Sequence, residues 1–338
     1  MINMHYSLAQ LVIPLLSMET FTILVLIFGG CCTNVYTLET IIQHGTDSRP
    51  ALALTFIQFV FVAVEGFAYF FRFHSRTLLK QPEVSRVKWL GFAVIHFSIS
   101  VLNNISLEYH VSVPMHIVLR SGGGLVTLVV GTLFGKSYSK TKWMSVMLMT
   151  LGVVIAALSG TKDSKDGDHI SGTMSFGVFL LLIIQILVAI MGILLENIYK
   201  RSPGIWREGL FYTHLLAIPF FLPLLPKITM QLMVLASGTQ LEMMVPRISY
   251  QAWDLPMKFV LLVLNAFTQF LCVTGVNLLT SVSSALSVCI VLSMRKFVSL
   301  LISVWVFKTP VHADFVFGTA IVFGGVIMYA TDNWKRKT

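Results

Sequence analysis

Ten stretches of this chain, each of roughly 20 residues, are built almost wholly from apolar side chains. They run over approximately 19–42, 50–71, 89–109, 112–135, 142–160, 172–196, 209–226, 256–279, 281–305 and 310–331. An α-helix of that length spans a hydrocarbon core of about 30 Å and satisfies its own backbone N–H and C=O groups on the way. The segments therefore predict an all-α membrane protein with ten transmembrane helices, whose first partner is the lipid bilayer. Composition removes the competitors. The net charge of +9 would suit nucleic acid, but 56% of the residues are hydrophobic and only 12% are charged. A soluble nucleic-acid binder needs a wide polar surface, so no nucleic-acid partner is expected, and disorder fails for the same reason. Cys31, Cys32, Cys272 and Cys289 all lie in apolar runs. They read as small hydrophobes in preference to disulfide partners or metal ligands. The first 18 residues carry no Lys or Arg, so a cleavable signal peptide is not expected; 1–18 reads as an N-terminal extension, whose apolar stretch 8–16 either prolongs the first span or lies at the interface.

Loop charges set the orientation. With the N-terminus in the cytosol, 14 basic residues fall in cytosolic loops, among them Arg72, Arg76, Lys136, Lys140, Lys200, Arg207 and Lys335. Seven fall opposite: Arg49, Lys162, Lys165, Lys227, Arg247, Lys258 and Lys308. That asymmetry predicts both termini in the cytosol and an even number of spans. Of the 24 basic residues, Arg120, Arg295 and Lys296 remain, and all three sit inside spans.

The chain also resembles itself at an offset of 173 residues. Ile117-Val118-Leu119 matches Ile290-Val291-Leu292, Asn104 matches Asn277, and Gly152-Val153-Val154-Ile155 matches Gly325-Val326-Ile327-Met328. The unit would be five spans, and an odd number inverts the second copy. The expectation is two inverted five-helix repeats, 1–160 and 172–332. A luminal loop at 161–171 joins them, and a basic cytosolic tail follows at 333–338. Such repeats place a substrate site near the bilayer midplane and work by alternating access.

A basic side chain inside the bilayer costs at least about 2.5–3.5 kcal/mol on insertion scales, so it marks function by default. Arg295 and Lys296 are adjacent in the middle of a span. One reading holds two cations ready for a strongly anionic group such as a diphosphate, which suits a planar guanidinium fork beside a point charge. The plainer reading pairs one with Glu39, Glu65 or Glu196 while the other reaches the interface. Arg120 precedes Gly122-Gly123-Gly124, which allow close approach or a local break, and follows Pro114, which can kink the helix. It could bind substrate, or lock two helices through Glu65 or a carbonyl. Asn103 and Asn104 end the third span, and Asn265 and Gln269 share one face of the eighth. These amides can read a base or sugar, or join helices. Tyr212 and His214 offer a ring and an imidazole in the seventh span, a pairing suited to a nucleobase or simply to packing. No Gly-rich phosphate loop, HExxH or GxSxG occurs and the nine histidines form no ligand spacing, so no catalytic residue, metal or cofactor is expected.

Taken in order along the chain, several strings resemble nucleotide-sugar transporters of the drug/metabolite transporter superfamily. They are Phe28-Gly29-Gly30-Cys31-Cys32-Thr33-Asn34-Val35, Val64-Glu65-Gly66-Phe67, Asn103-Asn104, Pro114-Met115-His116-Ile117 with Arg120-Ser121-Gly122, Glu208-Gly209-Leu210-Phe211-Tyr212-Thr213-His214, Thr268-Gln269-Phe270 and Arg295-Lys296-Phe297-Val298-Ser299-Leu300. Within that family the chain is similar to UDP-N-acetylglucosamine transporters, including the animal form that also carries UDP-xylose. The resemblance implies a non-enzyme that exchanges cytosolic UDP-sugar for luminal UMP. It implies that Lys296 and Arg295 contact phosphates, and that Tyr212 and His214 lie where relatives read the base. Thr213 stands where the family commonly has Asn. The membrane would be that of the Golgi or, alternatively, the endoplasmic reticulum, and a homodimer is compatible with the sequence. The competing expectations are a carrier of another anionic metabolite, such as a sugar phosphate, and an intramembrane enzyme acting on lipid-linked sugars.

Overall fold

A computed structural model describes residues 18–43, 50–71, 80–109, 119–159, 172–202, 204–237, 257–306 and 313–335. Pro114, residues 1–17, the loop 161–171 and the tail beyond Lys335 lie outside these, as does the side chain of Glu39. Among the described residues the fold is all-helical, and helix falls in each of the ten apolar segments. Helix α1 (Met18–Val25) passes through one π turn (Leu26–Gly30) into α2 (Cys31–Gln43). There follow α3 (Ala51–Phe70), α4 (Arg86–Glu108), α5 (Gly123–Leu133), α6 (Lys140–Ser159) and α7 (Gly172–Arg201). Then come α8 (Trp206–Leu215), a 3₁₀ segment (Ile218–Leu224), α9 (Leu225–Ser237), α10 (Met257–Val282), α11 (Ala285–Val306) and α12 (Ala313–Lys335). Seven of the described helical stretches are long and apolar enough to cross a membrane. The seventh segment, expected as a single helix, is α8, the 3₁₀ segment and α9 in succession. The backbone tightens where Pro219 and Pro223 withhold N–H donors.

The chain divides into two compact units, each assembled from both halves of the sequence. Unit 1 comprises 1–97 and 203–281; unit 2 comprises 98–202 and 282–338. In unit 1, α3 packs on α8, the 3₁₀ segment and α9. Phe59, Ala93, Phe221 and Ile228 form the buried centre of that layer. Close approach depends on Gly66, where an added Cβ would lie 2.5 Å from the Phe211 ring. Two polar fittings complete the layer. Gln231 accepts from the Ala53 N–H at 2.9 Å, satisfying a first-turn donor of α3. Glu208, 5% exposed, accepts from the backbone N–H groups of Glu83 and Val84 and from the Trp89 indole at 2.8–3.0 Å. Elsewhere in unit 1 the π turn crosses α10 where Gly30 meets Leu271 and Cys272 and Gly275 meets Leu26 and Ile27, all within 3.1 Å of an added Cβ. That crossing brings Cys31 and Cys272 to a Cα separation of 4.6 Å, and they are disulfide-bonded. The reading of these two cysteines as plain hydrophobes is thereby corrected; Cys32 and Cys289 are outside any disulfide.

In unit 2, α6 and α12 form the most intimate helix pair, built on Gly152, Gly318 and Gly325. One end of the unit is tied by a carboxylate. Glu196, 3% exposed at the end of α7, accepts from the Ala285 N–H at the start of α11 at 2.7 Å, and from the ammonium groups of Lys136 and Lys200. Beside it Ser139 donates to Asp332 at 2.7 Å, and the Ser287 and Tyr329 hydroxyls share a hydrogen bond at 2.9 Å. The Tyr138 phenol, in the α5–α6 turn, is pushed up to about 12 by burial first and then by the negative charge of Glu196. Because charge-assisted bonds contribute about 1.5–3 kcal/mol each, Glu196→Gln should lower the thermal unfolding midpoint of the detergent-solubilised protein by several degrees. An unchanged melt would remove Glu196 from the fastening of α11.

Candidate functional site

The cations that the sequence leaves inside spans converge within unit 2. Arg120 lies in helical residues 119–121, separated from α5 by a turn at Gly122. Gln185 of α7, 9% exposed, donates to the Leu119 carbonyl at 3.1 Å beside the break, and its Oε1 would lie 3.0 Å from a Cβ at Gly123. A side chain at Gly123 would have to push the Gln185 amide aside by a few tenths of an ångström. Arg120 donates to the side-chain oxygen of Asn103 on α4, and the neighbouring Asn104 is likewise half-buried.

Arg295 and Lys296 sit in the middle of α11. Both lie near enough to the Arg120 guanidinium for their charges to repel it. Adjacent helical positions diverge by about 100°, yet Arg295 and Lys296 both have Arg120 as an electrostatic neighbour. All three are half-buried. The Cys289 thiol, within reach of Thr127 and Ser293, is the remaining electrostatic neighbour of Lys296; among the described residues no carboxylate is. Glu196, one of the acids offered as a partner, is engaged by Lys136 and Lys200 instead. Three positive groups gathered at half-burial favour a multiply charged anion.

The remaining expected residues fall in unit 1. Asn265 is fully buried with every polar atom in use: its Nδ2 donates to the Asn34 carbonyl at 3.1 Å and to the Thr37 hydroxyl at 2.9 Å, and its Oδ1 accepts from Gln58 at 2.7 Å. Asn34 returns a bond to the Asn265 carbonyl at 2.9 Å. These bonds join α2, α3 and α10. Gln269, one turn further along α10, is half-buried. Tyr212 and His214 are each 4% exposed. One imidazole nitrogen, Nδ1, lies 2.7 Å from the Leu210 carbonyl, and the ring packs against Phe59 and His96 at centroid distances of 4.9 and 4.7 Å.

Glu65 is exposed on α3 and lines a cleft with Tyr69, Trp206, Arg207, Phe270 and Thr274. Sequence reasoning counted Arg207 only as a loop charge and passed over Trp206, Tyr69 and Thr274. A usable signal was that three of the strings carrying the family resemblance, at 64–67, 208–214 and 268–270, all contribute to this one cleft.

With this geometry in place, comparison with known proteins gives consistent results. The model of the UAA transporter family matches residues 19–333. A UDP-N-acetylglucosamine transporter of Schizosaccharomyces pombe is 41% identical over 315 residues, covering 92% of this chain and 95% of its own. A UDP-xylose and UDP-N-acetylglucosamine transporter of Danio rerio is 32% identical over 321 residues, covering 92% and 94%. An endoplasmic reticulum GDP-fucose transporter of Drosophila melanogaster is 31% identical over 326 residues, covering 93% and 91%. One crystal structure aligns with 95% of this chain and 98% of its own at a TM-score of 0.61; at 11% identity it shows a shared fold alone.

Proposed function

The chain belongs to the UAA transporter family, and from that premise we propose that it is a nucleotide-sugar transporter of the Golgi or endoplasmic reticulum membrane. Its cargo is UDP-N-acetylglucosamine, with UDP-xylose as a second, taken from cytosol to lumen in exchange for UMP. The carrying observation is the group of three half-buried cations, Arg120, Arg295 and Lys296, near enough within unit 2 for their charges to act on one another. UDP-sugars bear a diphosphate, which needs several donors and cannot cross lipid unaided, and three basic groups supply that demand. Asn103 and Asn104 belong to the same phosphate-binding group. Tyr212 and His214 hold the shape of α8, and Asn265 joins helices. The relatives that carry UDP-sugars or GDP-fucose by name support the class of cargo.

Ten crossings arranged as two inverted repeats, with both termini in the cytosol, fit the loop charges and a helix in every apolar segment. The antiparallel pairing of α6 and α12 supports the repeat. Gly152 faces Gly318 and Val322, while Gly325, its counterpart at the offset of 173, faces Ser145 and Met149. Transport then proceeds by alternating access, without catalysis. A carrier of sugar phosphates is the second reading, favoured by the same three cations, which would hold any organic phosphate. Proteoliposomes preloaded with UMP and offered labelled nucleotide sugars and sugar phosphates decide between them. UMP-stimulated uptake of UDP-N-acetylglucosamine is expected. Uptake of sugar phosphates alone would leave the second reading, and no UMP-driven uptake of any UDP-sugar would overturn the first.

A further inference from the structure

Within unit 1, α3, α8 and α10 enclose the cleft that contains Glu65. All three belong to stretches long and apolar enough to cross a membrane. The cleft lies toward the end at which α3 finishes with Phe70 and α8 begins with Trp206. There the Arg207 guanidinium lies over the Tyr69 ring at 4.5 Å and the Trp206 ring at 5.2 Å, so two aromatic faces hold it. Tyrosine, tryptophan and arginine at the ends of spanning helices are the side chains that settle at the level of lipid headgroups. Glu65, about one turn deeper on α3, is exposed among Val64, Gly66 and Phe67. A carboxylate there is costly unless a cation meets it. The Thr274 hydroxyl of α10 is buried and has no hydrogen-bond partner among the described residues. Native interiors rarely leave such a group unmet, so it is open to an occupant of the cleft.

Away from the helix ends the polar lining gives way to an apolar strip. Phe61, one turn before Glu65, meets the rings of Phe270 and Phe267 at centroid distances of 6.1 and 6.5 Å. Phe267 and, one turn further, Val263 are 46% and 48% exposed on α10. One acid and one base leave the cleft formally neutral. An occupant that matches it carries a positive and a negative group at one end and hydrocarbon at the other, which describes a zwitterionic phospholipid. An anionic lipid would bring no cation to Glu65. The number of donors then chooses among zwitterionic headgroups. A primary ammonium donates three hydrogen bonds, enough for the Glu65 carboxylate and the Thr274 oxygen together. A trimethylammonium donates none and leaves the Thr274 hydroxyl unmet. We propose that this cleft binds phosphatidylethanolamine, with the lipid phosphate on the Arg207 guanidinium fork, the ammonium on Glu65 and Thr274, and an acyl chain along Phe267 and Val263. The site lies in unit 1 alone, and it does not depend on which cargo the protein carries.

The test follows the melting midpoint of the full chain in detergent micelles carrying phosphatidylethanolamine, phosphatidylcholine or phosphatidylglycerol. A lipid that binds the folded state raises the midpoint. Phosphatidylethanolamine should raise it by several degrees more than either of the others. In Glu65→Gln, and separately in Arg207→Gln, the mole fraction of that lipid needed for half the gain should rise about tenfold or more, the loss expected for a charge-assisted hydrogen bond. Each variant is compared with itself without added lipid, so a change in basal stability does not enter. Thr274→Val should narrow the gap between phosphatidylethanolamine and phosphatidylcholine. Glycerophosphoethanolamine, which has the headgroup and no acyl chains, should give no gain. A full gain from it would make the occupant a soluble zwitterion. A gain from phosphatidylglycerol that survives in Glu65→Gln and is lost in Arg207→Gln would make the cleft an anionic-lipid site. Equal gains from all three lipids, or a phosphatidylethanolamine gain unchanged in both charge variants, would leave the cleft without a headgroup role. Each of these three results overturns the proposal.

Discussion

Lys296→Ala should abolish exchange while leaving the protein folded. The two halves of that expectation have separate causes. The ammonium lies within electrostatic reach of the guanidinium groups of Arg120 and Arg295. Holding a third positive charge there is a cost to the empty protein, both in lost hydration and in mutual repulsion. Its removal relieves that cost, so the melting midpoint in detergent should stay level or rise. The phosphate-bound state depends on the charge. Truncating one partner of a largely desolvated charge pair typically costs 2–5 kcal/mol or more, so exchange should drop about 100-fold or further. Lys296→Arg keeps the charge but replaces a point donor with a wider fork, and should recover only part of the rate. Wild-type exchange in Lys296→Ala would return the residue to a structural role. A large fall in the melting midpoint would show that it holds α11 in place instead.

How much of this could be read from the sequence varies with how local each cause is. Helix in the ten apolar segments was legible because a run of apolar residues long enough for a bilayer leaves the backbone no other way to satisfy itself. The interruption near Gly122 was legible from three successive glycines. The departure at 209–226 had its signal too, in Pro219 and Pro223, but the apolar pattern runs on through them and masks the break. The site was legible only as a set of expensive charges. That Arg120 comes near Arg295 and Lys296 depends on how the segment before α5 packs against α11, and their positions 175 and 176 residues apart say nothing of it. Asn265 shows the limit clearly. An amide in a span can read a ligand or join helices, and the choice turns on whether Asn34, Thr37 and Gln58 stand around it. The buried role of Glu208 carried no sequence signal, because two of its three partners are backbone N–H groups on another segment. The Cys31–Cys272 bond joins residues 241 apart and needs the glycine crossing of the π turn with α10 to exist at all.

Gly152→Leu should prevent unit 2 from assembling, and Gly324→Leu should be tolerated. At Gly152 an added Cβ would lie 2.7 Å from the Gly318 carbonyl oxygen and 2.8 Å from the Val322 N–H nitrogen. Those atoms are backbone, so no rotamer change makes room and the helices must part. Parting them uncovers the buried layer of Val153, Ala156, Phe297 and Val322 that ties α6 and α12 to the helix bearing Lys296. Overpacking typically costs 1–3 kcal/mol where side chains can yield; here, with backbone on the far side, about 3 kcal/mol is a lower bound. Gly324 lies on α12 beside Gly325, faces outward and has nothing within 4 Å of an added Cβ. Leucine there meets open space and should gain helix propensity of up to about 1 kcal/mol. Yield of monodisperse protein and its melting midpoint separate the two outcomes, and equal behaviour of the pair would contradict the packing. Gly325→Leu adds the decisive comparison, since its Cβ would approach the Ser145 carbonyl oxygen at 2.9 Å and the Met149 N–H nitrogen at 3.1 Å. If Gly152 and Gly325 are positions related by an inverted repeat, their substitutions should cost alike, because each presses the same kind of surface on the other's helix. A large cost at one and none at the other would leave their match in sequence a coincidence of apolar segments.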